Sequence, residues 1–272
     1  MSTDTPFTKE NLNTYLKELA KEFRKLNGTK MSAEIILIGG AAILANYGFR
    51  ELTYDIDVMI MASSVMKDAI NRVGDKLNLP NGWLNIDFKK TTSYSDKLIE
   101  VSVYYKTFSN ILTIRTVTAE YLIAMKLMSG RKYKNDLSDI VGILWEHEKN
   151  NTPITLEMVE NAVIKLYGGW DNIPENSKKL INAAFADGDY ETLFLQNRES
   201  EKQSKEILQD FDRAYPGELK GENIDSILER ANRNKAQGKS NFQAKLNKYK
   251  DIAKDNDQPI PKTKKSIDEL DK

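Results

Sequence analysis

One stretch of about thirty residues allows very few folds. A short β-branched apolar run, Ala33 to Ile38, meets Gly39-Gly40 with no spacer. Ala41 to Asn46 then reads as a short helix closed near Gly48, and Tyr54 to Met61 reads as a second strand carrying Asp55 and Asp57. A continuous apolar run of this length is a strand buried on both faces. Side chains at i and i+2 of a strand share a face, so Asp55 and Asp57 are expected to project together. Two ionised carboxylates held that close repel each other, and a cation between them relieves the cost.

The composition narrows the cation. The chain has no cysteine, which removes disulfides, thiolate zinc sites and cysteine nucleophiles. His147 is its sole histidine, so a histidine-rich metal site is excluded as well. What remains is a hard cation with oxygen ligands. Mg²⁺ (or Mn²⁺) takes one or two carboxylates and completes its shell with water and phosphate oxygens. Gly39 and Gly40 supply the complementary feature. At the end of a strand and the start of a helix, their bare backbone lets a polyphosphate approach the N–H groups and the positive helix end. Gly-Gly alone is commonly a turn, and Asp-x-Asp alone is commonly a solvated edge. In this order within one strand–helix–strand unit they point to a nucleoside triphosphate (NTP) substrate. The matching reaction is in-line attack on the α-phosphate, which needs no histidine base.

Lysine plus arginine balances aspartate plus glutamate, 40 against 40, so no global field draws the chain to nucleic acid or membrane. The N-terminal segment is acidic and amphipathic and does not read as a signal peptide. Runs such as Ile35–Ile38 are far too short to cross a bilayer. The expectation is a cytoplasmic protein with no membrane partner.

The fold class that follows is α/β (α+β): a mixed sheet flanked by helices, then a helical region and a charged tail. Residues 7–27 carry a helical stripe of Leu12, Leu16, Leu19 and Phe23, and Gly28 ends it. A helix is expected over 64–77, strands over 98–105 and 111–117 with a turn at Ser109-Asn110, and a helix begun by Thr118 that ends near Gly130. Another helix starts near Asp136. Helical periodicity over 155–187 is broken at Gly168-Gly169 and Pro174. Trp83 and Trp170 read as packing residues, and His147 as a helix-end residue. The domains expected are 1–30, a helix packing on the core; 31–148, the catalytic domain; 149–194, a helical subdomain; and 195–272, a charged helical or partly disordered tail.

The run Ile38-Gly39-Gly40-Ala41-Ala42, followed by Arg50-Glu51-Leu52-Thr53-Tyr54-Asp55-Ile56-Asp57, resembles the signature of the polymerase-β-type nucleotidyltransferase superfamily. More narrowly it resembles the bacterial AbiEii-like toxin branch, which pairs Gly-Gly or Gly-Ser with Arg-x-Ser/Thr-x-Asp-Ile-Asp. A second block agrees: Ala124-Met125-Lys126-Leu127, then Arg131, then Asp136 and Asp139. The resemblance covers residues 33–145 and is weaker to about 190. It implies an enzyme that transfers a nucleotide to a hydroxyl of tRNA or of a protein, as a toxin of a toxin–antitoxin or phage-defence system with a cognate antitoxin. It also implies catalytic roles for Asp55, Asp57, Lys126 and Asp139, and nucleotide binding by Gly39, Gly40, Thr53, Arg131 and Asp136.

The residues themselves leave alternatives. Lys126, in an apolar helical stretch, either snorkels to the surface or is buried against phosphate or an aspartate. Asp136 and Asp139 either complete an acidic site or cap a helix, the reading favoured for one of them. Arg131 either grips phosphate or pairs with Asp136. The superfamily places a third carboxylate on a later strand, and Asp87 and Glu100 compete for it. The clusters Arg230-Arg233-Lys235 and Lys245-Lys248-Lys250 read as solvated helix faces or as an RNA contact. Two other readings stay open: a small-molecule (antibiotic-type) nucleotidyltransferase, and a non-catalytic partner-binding module on a degenerate core.

Overall fold

The computed structural model describes residues 6–29, 31–131 and 134–236. They fall into two compact units divided after Glu201. The first unit is built on a five-stranded mixed sheet of order β3-β2-β1-β5-β4. The strands are β1 (Ala33–Leu37), β2 (Ile56–Met61), β3 (Leu84–Asn85), β4 (Ser102–Phe108) and β5 (Leu112–Val117). β1 runs antiparallel to β2 and parallel to β5, β2 is parallel to β3, and β4 is antiparallel to β5. The expected mixed sheet flanked by helices is thus what the chain forms.

Central position explains the unbroken apolar run of β1. With β2 on one side and β5 on the other, Ile35, Ile36 and Leu37 are all fully buried. A strand covered on both faces has no reason to alternate. Burying each such side chain contributes roughly 1.5–3 kcal/mol. β4 and β5 are joined through Ser109-Asn110, both at positive φ (52° and 53°). Two consecutive left-handed residues make the tight turn that the Ile111 N–H closes by donating to the Phe108 carbonyl, and asparagine tolerates that region.

The helices cover the sheet. Helix α1 (Lys9–Asn27) buries Leu12, Leu16, Leu19, Ala20 and Phe23. Thr8 and Asn11 form a reciprocal capping box at its start. Helix α1 packs against α3 (Val65–Leu77) and touches β4. Helix α2 (Gly39–Asn46) packs on β2, β5 and α4 (Ala119–Ser129). Helix α4 is the hub: it contacts α5 (Asp136–Lys149), α6 (Leu156–Tyr167) and α7 (Glu175–Asp187), which explains why it is apolar around nearly its whole girth. Gly130 and Gly168 end α4 and α6 in the left-handed conformation.

Two boundaries differ from expectation. The strand expected over 98–105 begins at Ser102, because Asp96–Leu98 form a 3₁₀ turn; Leu98 is apolar because it is buried there, not because it lies on a strand. The strand expected from Tyr54 begins at Ile56, so Asp55 lies just ahead of it. Trp83 and Trp170 pack as expected: Trp83 is buried and donates to the carbonyl of Ile70, and Trp170 lies against the core. His147, in the last turn of α5, meets the Tyr47 hydroxyl and Thr152.

Helix α8 (Tyr190–Ala214) runs through the point where the units divide. In the second unit α8 continues to Ala214 and is followed by α9 (Ile224–Ala236), with Leu208, Phe211, Ile227 and Leu228 buried. In α9 Arg233 pairs with Glu229. Lys245, Lys248 and Lys250 lie outside the described residues.

Candidate nucleotide and metal site

The Gly-Gly junction and the Asp-x-Asp segment are brought together. Leu37 and Val58 are register partners, so the start of β2 meets the end of β1, and the Ile38 N–H donates to the Asp57 carbonyl at 2.9 Å. Gly39 begins α2 at φ +54°, and a Cβ there would lie 3.5 Å from Asp57 Oδ2. Gly39 therefore faces the Asp57 carboxylate directly, in a conformation that glycine adopts without strain. Among the described residues no side chain caps α2, and no acidic residue occupies its first turn. Its leading N–H groups are left for an outside acceptor.

Asp55 is exposed and Asp57 is half-buried. Burial and then the neighbouring Asp55 charge push the Asp57 carboxyl above its usual range. Three groups pull it back: the Asn85 amide, which donates to Asp57 Oδ1 at 2.8 Å, and the cations Lys134 and Arg131. Asn85 is the register partner of Asp57 on β3, and its own oxygen accepts from the Asp87 N–H. Asp87 itself lies in a 3₁₀ turn and pairs with Lys90, and Glu100 is exposed near Lys165. Among the described residues no group of three or more carboxylate or histidine side chains is poised for a metal. The donor set is therefore two carboxylates beside an open helix start. That suits a cation which draws its remaining ligands from substrate phosphate and water.

A second acidic pair lies deeper. Asp136 and Asp139, in the first turn of α5, are both buried. Lys126 Nζ reaches Asp136 at 2.7 Å and Asp139 at 2.9 Å. Arg131 holds the other oxygen of Asp136 at 3.0 Å, and Arg50 binds both oxygens of Asp139. Burial lowers the affinity of Lys126 for its proton, but the two carboxylates outweigh it and raise its pKa. For Asp136 burial acts upward, and Lys126 and Arg131 reverse it, leaving the carboxyl well below its usual range.

This geometry corrects two readings. Lys126 does not snorkel; it is 8% exposed and enclosed by two aspartates. Neither Asp136 nor Asp139 caps α5. Asn135 is the N-cap residue without a side-chain cap bond, and the carboxylate that meets the first N–H groups is Glu201 of α8. Glu201 accepts from the Leu137 and Ser138 N–H groups and from the Ser138 hydroxyl, and it is 3% exposed. Burial raises its pKa to about 7.

Arg50 ties the two acidic pairs together. Besides Asp139 it donates to the Leu52 carbonyl at 3.2 Å and to Thr53 Oγ1 at 3.5 Å. Thr53 Oγ1 in turn donates to the Asp55 carbonyl, and the Thr53 backbone pairs in both directions with Phe7. Gly40 lies beneath this knot. A Cβ there would sit 2.8 Å from Thr53 Oγ1 and 2.9 Å from Arg50 Nη2. Gly39 thus opens onto Asp57, whereas Gly40 admits the residues that shape the loop ahead of it.

Four participants were not singled out from sequence. Arg50 was visible in the Arg-x-x-Thr-x-Asp run but had no role assigned. Lys134 belongs to the same basic stretch as Arg131. Asn85 is flanked by Leu84 and Ile86, a strand-like setting for a polar side chain. Glu201 gave no signal, because a charge on a charged helix reads as solvated.

Residues 14–148 match the model of a family described as nucleotidyltransferase of unknown function (DUF6036). No curated protein and no solved structure matches the chain. None of the helices described is long and apolar enough to cross a membrane.

Proposed function

We propose, on the premise that residues 14–148 carry a nucleotidyltransferase domain, that this chain transfers a nucleotide from an NTP to a hydroxyl acceptor with Mg²⁺ (or Mn²⁺) held by Asp55 and Asp57. The observation that carries the reading is the Asp57 carboxylate facing Gly39 with the Asp55 charge beside it, and with Arg131 and Lys134 near enough to act on Asp57. Bound metal would supply charge neutralisation of the phosphates and a lowered pKa for the attacking hydroxyl.

The chain's own residues have separable tasks. Asp55 and Asp57 hold the cation. Gly39 leaves room for a phosphate against the start of α2. Lys134 is exposed, and among the described residues it makes no ion pair, so its charge is available to phosphate oxygens. Arg131 spans both roles, anchoring to Asp136 while acting on Asp57. Lys126 and Asp139 act through the scaffold: with their charges satisfied by each other and by Arg50, they fix the loop that presents Asp55. Thr53 bridges Arg50 to the Asp55 backbone. The AbiEii-like pattern favours tRNA or a protein as acceptor, a toxin role and a cognate antitoxin as partner, in the cytoplasm. An antibiotic-type small-molecule acceptor is the alternative within the same chemistry.

Asn85 favours a second reading, a partner-binding module that binds NTP without turning it over. It occupies the position beside Asp57 where a third carboxylate would add negative charge. One experiment separates these readings: transfer from each α-³²P-labelled NTP with Mg²⁺ onto total tRNA, onto cell protein and onto a panel of aminoglycosides. Label that disappears in Asp55→Ala/Asp57→Ala supports transfer and identifies the acceptor class. Metal-dependent NTP binding with no label anywhere supports the binding module. No metal-dependent NTP binding at all sinks both.

A further inference from the structure

We propose that a pocket formed by the Phe49–Leu52 loop, the first turn of α5 and α8 is the nucleobase subsite of this domain, with Glu51, Asn135 and Arg198 reading the edge of the base. This rests on the NTP reading above and goes beyond it by naming the residues that set nucleotide preference.

The pocket has a volume of about 180 Å³. Sites for whole drug-sized ligands run to about 300–1,000 Å³, so this one has room for a planar heterocycle and not for an entire nucleotide. Its apolar wall is closely packed. The Phe49 ring lies so close to α5 that a Cβ on Gly142 would fall 2.7 Å from it, and its centroid is 5.5 Å from that of Phe194. At the floor, Asp139 is already saturated by Arg50 and Lys126.

Three lining side chains remain uncommitted. Asn135 stands at the N-cap of α5 but makes no capping bond. Glu51 makes no hydrogen bond or ion pair among the described residues. Arg198 lies over the Phe194 ring at 5.8 Å and makes no hydrogen bond or ion pair among the described residues. All three are exposed and line the pocket. A carboxylate accepts, a guanidinium donates, and an amide does both. A base edge offers that mixture of donors and acceptors, whereas the Glu51 carboxylate would repel a phosphate. Chain connectivity supplies the link to the acids: Leu52 stands three residues before Asp55, and Asn135 directly follows Lys134. A triphosphate held between Asp55, Asp57 and Lys134 would have its nucleoside end next to this pocket. A larger cavity, about 450 Å³, is lined by Ile60 of β2 and by Leu84 and Ile86 around β3. Strand alternation sets those side chains on the face opposite Asp57 and Asn85, so that cavity is not a rival.

The test is calorimetric titration of the full chain, in Mg²⁺, with each of the four NTPs and with inorganic tripolyphosphate, which has no base. Wild type is compared with Glu51→Gln, Asn135→Ala and Arg198→Ala, all exposed changes whose folding is checked by circular dichroism. The expected result is a roughly tenfold loss of affinity for at least one NTP, from a lost hydrogen bond to a charged group, a changed order of preference among the four, and unaltered tripolyphosphate binding. Equal losses for NTP and tripolyphosphate, or no change for any NTP, would overturn the base pocket and leave the NTP reading standing. Wild type that binds tripolyphosphate as tightly as every NTP would do the same. Wild type that binds neither would overturn both.

Discussion

The molecule holds two pairs of aspartates close together, and their surroundings are opposite. Asp136 and Asp139 are buried, and every charge they carry is met by Lys126, Arg50 or Arg131. Asp55 and Asp57 are exposed or half-buried, and among the described residues the direct side-chain bond to them comes from the neutral amide of Asn85. The deeper pair has had its pKa conflict resolved from within: Asp136 is held well below the ordinary carboxylate range. The shallower pair keeps the conflict, with Asp57 pushed up by burial and by Asp55. A carboxylate that the fold has already neutralised is part of the scaffold. A pair that the fold leaves in mutual repulsion is where we propose that a cation from outside binds.

The largest effect that would break this contrast is the loss of Lys126. Lys126→Ala removes the cation that two buried carboxylates share and leaves each with its arginine alone, and breaking a buried pair costs about 3–5 kcal/mol. Urea unfolding should register that loss, whereas exposed Asp55→Asn should stay within about 0.5 kcal/mol of wild type. If the two variants were equally stable, the division into scaffold and site would collapse.

Gly40→Ala comes next. The added methyl must displace Thr53 and an Arg50 that Asp139 pins, and overpacking of this kind costs about 1–3 kcal/mol. Thermal melting measures it, and a loss of Mg²⁺ affinity alongside would mean that the Arg50 knot positions Asp55. Asn85→Ala should lower Mg²⁺ affinity by about 10–100-fold, the usual penalty for removing a group that orients a ligand. Titration calorimetry reads this directly, and unchanged affinity would remove Asn85 from the site.

The smallest effects lie in pH dependence. The folded pKa of Glu201, about 7, stands above its ordinary 4.5. Between those values the folded chain keeps a proton that the unfolded chain has lost, so this group's contribution to stability falls as pH rises from about 4.5 to 7. Asp136 has the opposite sign: its stabilisation is complete above the ordinary 3.8 and is lost as pH falls through its depressed folded value. Glu201→Gln should therefore flatten the stability profile between about pH 4.5 and 7 while leaving the acid limb intact. An unchanged profile between those pH values would mean that Glu201 titrates normally.

Much of this was legible without coordinates, because it is local. The run Ala33–Ile38, the break at Gly39-Gly40 and the spacing of Asp55 and Asp57 predict two strands joined through a helix, and the Leu12–Leu16–Leu19–Phe23 stripe predicts α1. These patterns follow from periods of 2 and 3.6 that the backbone imposes on any chain. The acidic pair could be named for the same reason.

What tertiary structure alone decided is where each charge finds its partner. Lys126 is separated from Asp136 by ten residues, Arg50 from Asp139 by 89 and Ser138 from Glu201 by 63. Nothing in the neighbourhood of a lysine or a glutamate records a partner that far along the chain. The sequence named which residues can carry charge near the Gly-Gly junction. Packing α5 against α4, with Glu201 of α8 over its first turn, determined which charges are consumed in the scaffold and which remain at the surface for a ligand.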